Sequence, residues 1–450
     1  MIALYPFQEE AVHAISACKR GIVKAPAGAG KTLIAAAAIH RFQMHGLGYN
    51  ILWLANTREQ IEQAEKACDT MGVNEACVTF KCYQAAESAK AYDLVVSDEC
   101  HHVPAPIFRK WFAGHEGARW GFSATPDRGD ELTDDVFELI GPVVYEIARE
   151  PLVKAGLLSR AEVEFFCPNN TQELQDVIEL TTETRFKKME RSLPYIVAQM
   201  DKLPLCKIVQ MQTIAVKKEA ILLAEQHGLE FEDPVCKLRA RLANTGPQIS
   251  HVRSWLMQSA KQELMSRARW QAALQHGIYE NIKRNEKIVD LALAQTATTL
   301  VLVGKVTHGE ALSKQVPGSI VVHSRMKGRK DAVESLRDGR TKVAFVTSLL
   351  DEGADIPRAS VLILAAAGRS ARQQEQRTGR VLRTFAEKTH GKIIDFWDVQ
   401  HPMLLRQSKA RAKIYSGLGY EWVGTPDVVS KVLHAIGVTI NKAIGFGKKK

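Results

Sequence analysis

From Ala25 to Thr32 the chain reads Ala-Pro-Ala-Gly-Ala-Gly-Lys-Thr, directly ahead of a helix-forming run that starts at Leu33. Small residues let the backbone turn tightly, so its N–H groups and the N-terminus of the following helix converge on phosphate oxygens. Ala27, Gly28, Ala29 and Gly30 would form that cradle. Lys31 would reach the β- and γ-phosphates of a nucleotide, and the Thr32 hydroxyl would ligate Mg²⁺. Ala25 stands where this pattern usually has its first glycine, yet strand, loop and helix follow in the order the pattern needs. A second group lies 67 residues further on, where Asp98 and Glu99 close the apolar run Asp93 to Ser97. Asp98 would hold the Mg²⁺, directly or through water, and Glu99 would orient or deprotonate an attacking water. An acidic strand end alone is commonplace; with a phosphate loop upstream it reads as half of a hydrolytic site. Cys100, His101 and His102 follow, but three adjacent residues rarely converge on one metal, and zinc is disfavoured.

These groups need a scaffold that delivers them to one edge. Apolar runs at Gly21 to Pro26, Asn50 to Asn56, Ala76 to Cys82, Asp93 to Glu99 and Arg119 to Ala124 predict buried parallel strands. Helical periodicity between them, at Lys31 to His45 and Arg58 to Met71, predicts a doubly wound α/β lobe. The rhythm returns with strands expected at Thr299 to Gly304, Ser319 to His323, Lys342 to Thr347, Ser360 to Ala365 and Lys392 to Phe396. Helices are expected between these at Lys327 to Arg337 and Ala371 to Leu382. The intervening stretch is rich in Leu, Ala, Gln, Lys and Arg and reads as a helical insertion. The expected division is a first lobe at 1–150, a second at 151–168 and 279–400, a helical basic insertion at 169–278 and a basic extension at 401–450.

A chain of 450 residues that is 46% hydrophobic is too long and too apolar for a stapled miniprotein or a disordered tail. Its net charge of +10 suits a polyanionic partner. Residues 181–284 hold 17 Lys and Arg against 10 Asp and Glu, and residues 391–450 hold 10 against 4, so the surplus sits mainly outside the two α/β lobes. Eight scattered cysteines without a CxxC pair suggest reduced thiols in a cytoplasmic compartment. Glu9 and Glu10 interrupt any secretory leader, and no apolar run is long enough for a membrane span. The expectation is a cytoplasmic protein, in a bacterial or phage-infected cell.

The ordered set of motifs resembles the superfamily 2 helicases and translocases over the two α/β lobes. That resemblance implies two RecA-like parallel-sheet lobes, with the insertion in or before the second. Tyr5-Pro6-Phe7-Gln8 resembles the family's adenine-reading motif, which implies that Gln8 hydrogen-bonds adenine N6 and N7; the family often has Arg where Tyr5 stands. Asp98-Glu99-Cys100-His101 resembles a DExH-type motif, and Ser123-Ala124-Thr125 the motif that couples nucleotide state to the nucleic-acid groove. Asn56-Thr57-Arg58, and Thr79 with Tyr83-Gln84, are similar to segments that contact the nucleic-acid backbone, which implies contacts from Thr57, Arg58 and Thr79. Residues Thr347 to Asp355 are similar to motif V, placing Thr347 on nucleic acid and Gly353 and Asp355 on the nucleotide. Gln376 to Arg383 is similar to motif VI, which implies Arg380 and Arg383 as arginine fingers and Gln376 near the γ-phosphate or the water.

The stretch Gly121 to Arg128 and the Gly379 to Arg383 ending look most like XPB-type and phage UvsW-type DNA helicases. The resemblance therefore implies ATP and Mg²⁺ as cofactors, and forked or branched DNA as partner in branch migration, replication, recombination or repair. An RNA helicase, a double-strand translocase, and a nucleotide-switched binding module without turnover stay open as alternatives. Trp255 and Trp270, beside Arg253, Arg267 and Arg269, read either as helical core or as a stacking element on DNA. The oligomeric state stays open.

Overall fold

A computed structural model describes residues 2–44, 49–85, 91–103, 115–126, 133–168, 171–191, 264–347, 356–366, 390–424 and 427–435, with isolated positions between these stretches. It comprises two units. One holds Met1–Cys167, Glu286–Trp397 and Arg406–Lys450; the other holds Pro168–Asn285 and Asp398–Leu405. Among the described residues no helix is long and apolar enough to cross a membrane.

The first unit contains two all-parallel sheets. Strands β1 (Arg20–Lys24), β2 (Ile51–Ala55), β3 (Val78–Cys82), β4 (Leu94–Asp98), β5 (Ala118–Ser123) and β6 (Val143–Glu146) form the first, in the order β3-β2-β4-β5-β1-β6. β2 and β4 are buried along their whole length, which is why they read as unbroken apolar runs. The helix Lys31–Met44 buries Ile34 to Ile39, and its four successive alanines let it pack closely in this core. β6 has no such run in the sequence because it is an edge strand, half-buried at Val144 and Tyr145 and exposed at both ends. Lys24 pairs with Ser123 and Asp98 with Phe122, so the loops after β1, β4 and β5 leave the sheet at one edge.

Strands β7 (Arg160–Phe166), β8 (Thr299–Leu302), β9 (Ile320–Val322), β10 (Val343–Val346), β11 (Val361–Leu364), β12 (His390–Phe396) and β13 (Glu421–Trp422) form the second sheet, in the order β13-β7-β12-β11-β8-β10-β9. The five expected strands of this lobe are present, and β7 and β13 are additions. β7 alternates buried side chains with half-buried ones after an exposed Arg160, so its sequence lacks the continuous apolar run of its neighbours. Within 401–450, β13 pairs with β7, and Arg411 of the helix Pro402–Gly417 bonds Asp395 of β12.

In the second unit, the helix Gln172–Glu190 starts at a Thr171 cap, whose hydroxyl accepts from Leu174 N at 3.3 Å. Residues 264–274 are helical and run into a π-helical turn, Gln275–Tyr279. Thr181 Oγ1 and His276 Nε2 are 3.0 Å apart across these two helices. Arg284 and Asp398 form a buried pair, Nε donating to Oδ1 at 2.8 Å. Trp270 is half-buried; Arg253 and Trp255 lie outside the described residues.

Candidate nucleotide-binding site

The loop after β1 turns through Gly28 at φ 91° and Gly30 at φ 81°. A side chain in this left-handed region costs about 1–2 kcal/mol, which glycine avoids. At Gly30 space is restricted as well, since an added methyl carbon would stand 2.5 Å from Gln8 Nε2. The Ile34 amide then donates to Gly30 O at 2.9 Å and the helix Lys31–Met44 begins. Ala27 is half-buried, Ala29 is buried, and Gly28 is exposed at the turn.

Gln8 is buried in the helix Pro6–Ser16. Its Nε2 donates to Ala29 O at 3.1 Å and its Oε1 accepts from Tyr5 N at 3.1 Å. One N–H and one lone pair of that amide are left over, the set an adenine edge requires. Gln8 thus braces the loop while keeping the capacity to read a base.

Lys31 Nζ donates to Ala25 O at 3.2 Å and stands 3.8 Å from Glu99 Oε1. Their side chains are only 11% and 17% exposed, so water screens this pair poorly. Asp98 is buried at the end of β4, and its Oδ1 accepts from Glu99 N at 3.0 Å. Burial first, and then the Glu99 charge, push the Asp98 carboxyl up to about 7, while Lys31 opposes them. Thr32, half-buried, occupies the first turn of the helix that follows the loop.

Glu99 adopts φ 51°, ψ 54°, the one positive φ among the described non-glycine residues. Such a conformation costs of order 1–3 kcal/mol and persists where surrounding contacts impose it. Its Oε2 accepts from Ser123 Oγ at 3.4 Å and lies 3.4 Å from His101 Nδ1. His101 Nδ1 is itself 3.0 Å from Ser123 Oγ, which also accepts from Thr125 N at 3.2 Å. The segment Ser123 to Thr125 is therefore wired directly to Glu99. The sequence disfavours His101 as a metal ligand and puts it in the DExH-type motif without assigning it this contact; its place two residues after Glu99 is the available signal. Tyr83 is fully buried and donates to Asp98 O at 2.9 Å, so it supports β4 rather than offering itself to a nucleic acid.

The second sheet also reaches the loop. A methyl group added to Gly379 would come 2.8 Å from Ala27 Cβ, so the helical turn containing Arg377, Thr378 and Gly379 rests on the cradle. Leu158, next to β7, lies against Gly28 in the same way, its Cδ2 2.8 Å from where a Cβ would be. Gln376, Arg380 and Arg383, like Gly353 and Asp355, lie outside the described residues.

The residues expected on nucleic acid sit elsewhere. Thr57 caps the helix Arg58–Met71, its Oγ1 accepting from Gln60 N at 3.3 Å, and Arg58 is exposed. Thr79 is half-buried in β3, at the far side of the sheet from β1. Thr347 is half-buried after β10, its amide donating to Val322 O at 3.3 Å.

The donor set fits a nucleotide with a divalent cation: two left-handed glycines and a helix start for phosphate, a poorly screened ammonium, and a buried carboxylate lacking full counter-charge.

Comparison with known proteins agrees with this architecture. Residues 1–83 match the family described as Type III restriction enzyme, res subunit, and residues 283–385 match the helicase conserved C-terminal domain. A DNA 3'-5' helicase XPB from Kineococcus radiotolerans is 30% identical over 186 residues, 36% of this chain and 33% of the relative. A DNA 3'-5' translocase XPB2 from Sulfurisphaera tokodaii is 24% identical over 400 residues, 85% of this chain and 79% of the relative. The chain thus spans about a third of the first of these relatives. The solved structure of the ATP-dependent Type ISP restriction-modification enzyme LlaBIII bound to DNA superposes with a TM-score of 0.51 at 12% identity, over 92% of this chain and 30% of that one. That likeness concerns the fold, two RecA-like α/β lobes.

Proposed function

We propose that this chain, which carries the paired helicase domains of superfamily 2, is an ATP-dependent DNA helicase or translocase acting on forked or branched DNA. The observation that carries this reading is the packing of Gly379 on Ala27, because it brings the turn supplied by the second sheet onto the phosphate loop of the first. A hydrolytic site built from both sheets can respond to their closure and reopening, the cycle a translocase needs.

In this reading Lys31 leaves Ala25 O and Glu99 for the β- and γ-phosphates as ATP enters. Glu99, released from Lys31 but still tied to Ser123, positions the attacking water and accepts its proton. Thr32 and Asp98 would hold Mg²⁺, which when bound neutralises charge on the phosphate oxygens. Gln8 reads the adenine, and Ala27 to Gly30 cradle the phosphates. Arg380 and Arg383 stabilise charge on the transferred phosphoryl group, with Gln376 beside it and Gly353 and Asp355 on the nucleotide. Thr57, Arg58, Thr79 and Thr347 grip the strand backbone. The basic surplus of residues 181–284 and 391–450 supports affinity for duplex arms of a fork or junction. The DNA-acting names of both relatives support DNA over RNA.

ATP hydrolysis measured with forks, four-way junctions, tailed duplexes and RNA duplexes tests the reading. Stimulation by branched DNA, lost in Lys31→Ala, is expected. Hydrolysis that survives Lys31→Ala would overturn the site, and equal stimulation by RNA would overturn the substrate.

A further inference from the structure

The turn that rests on the phosphate loop is held from behind by a buried polar network. Arg411, in the helix Pro402–Gly417, donates from Nε to Asp395 Oδ2 at 2.7 Å and from an η nitrogen to Asp395 Oδ1 at 2.9 Å. Tyr415 OH donates to Asp395 Oδ2 at 2.9 Å and is 3.5 Å from Gln374 Oε1. Gln374 O accepts from Thr378 Oγ1 at 2.7 Å, and that hydroxyl is 2.8 Å from Tyr420 OH. Tyr415 and Tyr420 stack at 5.9 Å, and the Arg149 guanidinium lies 5.2 Å from the Tyr420 ring centre. All of Asp395, Arg411, Tyr415, Tyr420, Gln374 and Thr378 are at most 2% exposed. Arg149 also donates to Ser159 O at 2.8 Å, while Ser159 N donates to Leu382 O at 2.9 Å, which anchors the far end of the same turn.

A buried network of this kind is costly unless every member is satisfied, and once satisfied it admits few alternative arrangements. Its members come from β12, the helix Pro402–Gly417 and the residue before β13, and it meets Gln374 and Thr378 ahead of Gly379. Gly379 follows Thr378 directly, so the hydroxyl contact with Tyr420 sits one residue from the contact with Ala27. Arg411, Tyr415 and Tyr420 all lie beyond residue 385, where the match to the helicase C-terminal domain stops.

We infer that Arg411, Tyr415 and Tyr420 are positioning residues for ATP turnover, setting how the turn holding Thr378 and Gly379 sits on the phosphate loop. They touch no substrate and act through Thr378 and Gln374. The inference rests on the ATPase reading above and adds to it a dependence on the segment 402–422.

The test uses the full chain and Tyr420→Phe, which keeps the ring, its stack and its contact with Arg149 and removes only the hydroxyl. Expected is a fall of about tenfold in kcat for ATP with KM changed by less than about twofold, while the unfolding temperature falls by no more than a few degrees. Thr378→Val removes the same contact and also the bond to Gln374 O, so its kcat should fall at least as far, and the double variant should fall little further than Thr378→Val alone. An unchanged kcat in folded Tyr420→Phe, or a loss explained wholly by a lower unfolding temperature, would overturn the inference. A wild-type chain without Lys31-dependent turnover would instead sink the ATPase reading. The inference is then judged on the ratio of affinities for ADP and β,γ-imido-ATP, which senses the γ-phosphate surroundings without turnover; a ratio unmoved by Tyr420→Phe overturns it.

Discussion

Gly379 packs against Ala27 so closely that one added carbon on the glycine would stand 2.8 Å from the alanine methyl. Neither residue carries a functional group, yet their contact joins the second sheet to the phosphate loop. Gly379→Ala should therefore force the two apart, because Cβ atoms do not approach another carbon this closely. Overpacking of this sort costs about 1–3 kcal/mol, and if it falls on the closed state, turnover drops about tenfold or more. Combining it with Ala27→Gly should recover part of the loss, read as steady-state ATP hydrolysis.

Gly30→Ala meets two obstacles, a left-handed backbone and the Gln8 amide. The variant should lose about 1–2 kcal/mol from backbone strain alone and displace Gln8 from Ala29 O. A fluorescent ADP titration should show nucleotide binding weakened at least about tenfold. Wild-type affinity would show that Gln8 does not brace the loop.

Glu99 and Ser123 separate chemistry from coupling. Glu99→Gln should lower hydrolysis by about 10²–10⁴ and spare nucleotide affinity, as loss of a general base does. Ser123→Ala removes the 3.4 Å contact to Glu99 and should spare basal hydrolysis more than its stimulation by DNA. Equal losses with and without DNA would show that Ser123 has no part in coupling.

The Arg284–Asp398 pair of the second unit is buried on both sides, at 1% and 5% side-chain exposure. Arg284→Met leaves the buried Asp398 carboxylate without its guanidinium and should cost about 3–5 kcal/mol locally, whereas Arg284→Met with Asp398→Leu should cost less than the single change. Hydrogen exchange of the helix Gln172–Glu190 and residues 264–274 provides the measurement. A double variant worse than the single would show that the pair is stabilising in its own right.

His115 gives a pH dependence with a definite sign. Its Nδ1 accepts from Arg119 Nε at 3.2 Å and its Nε2 lies 3.0 Å from Tyr92 O, which makes Nε2 the protonated nitrogen. Burial first, then Arg119 and Lys19, hold the imidazole below its ordinary value, with Tyr92 O and Asp93 opposing. The unfolded chain binds this proton more readily, so stability should fall as pH drops from 7 through the usual histidine value of about 6.5. His115→Gln should flatten that slope in denaturant titrations at pH 7 and pH 5.5; an unaltered slope would assign it to other groups.

Much of the candidate nucleotide cradle's backbone is legible in the amino-acid order because it is local. Ala27 to Thr32 must follow a strand and open a helix, and glycine at 28 and 30 marks left-handed backbone. The buried runs at Ile51–Ala55 and Leu94–Asp98 declare parallel strands in the same way. β6, β7 and β13 carry no such mark, since an edge strand, an alternating strand and a two-residue strand owe their pairing to neighbours far along the chain.

Arg411 shows the division between the two levels. In the sequence it adds to a basic tail and reads as a charge for DNA; folded, it is 2% exposed and spends its guanidinium on Asp395. Burial of a charge depends on whether a partner is brought to it, and that depends on β12 and the helix Pro402–Gly417 meeting in space. The residue types around Lys31 and Glu99 were therefore set by short-range backbone and chemical requirements. Which turn rests on Ala27, what holds it there, and which basic residues remain exposed were decided by tertiary packing, because each depends on contacts between segments tens to hundreds of residues apart.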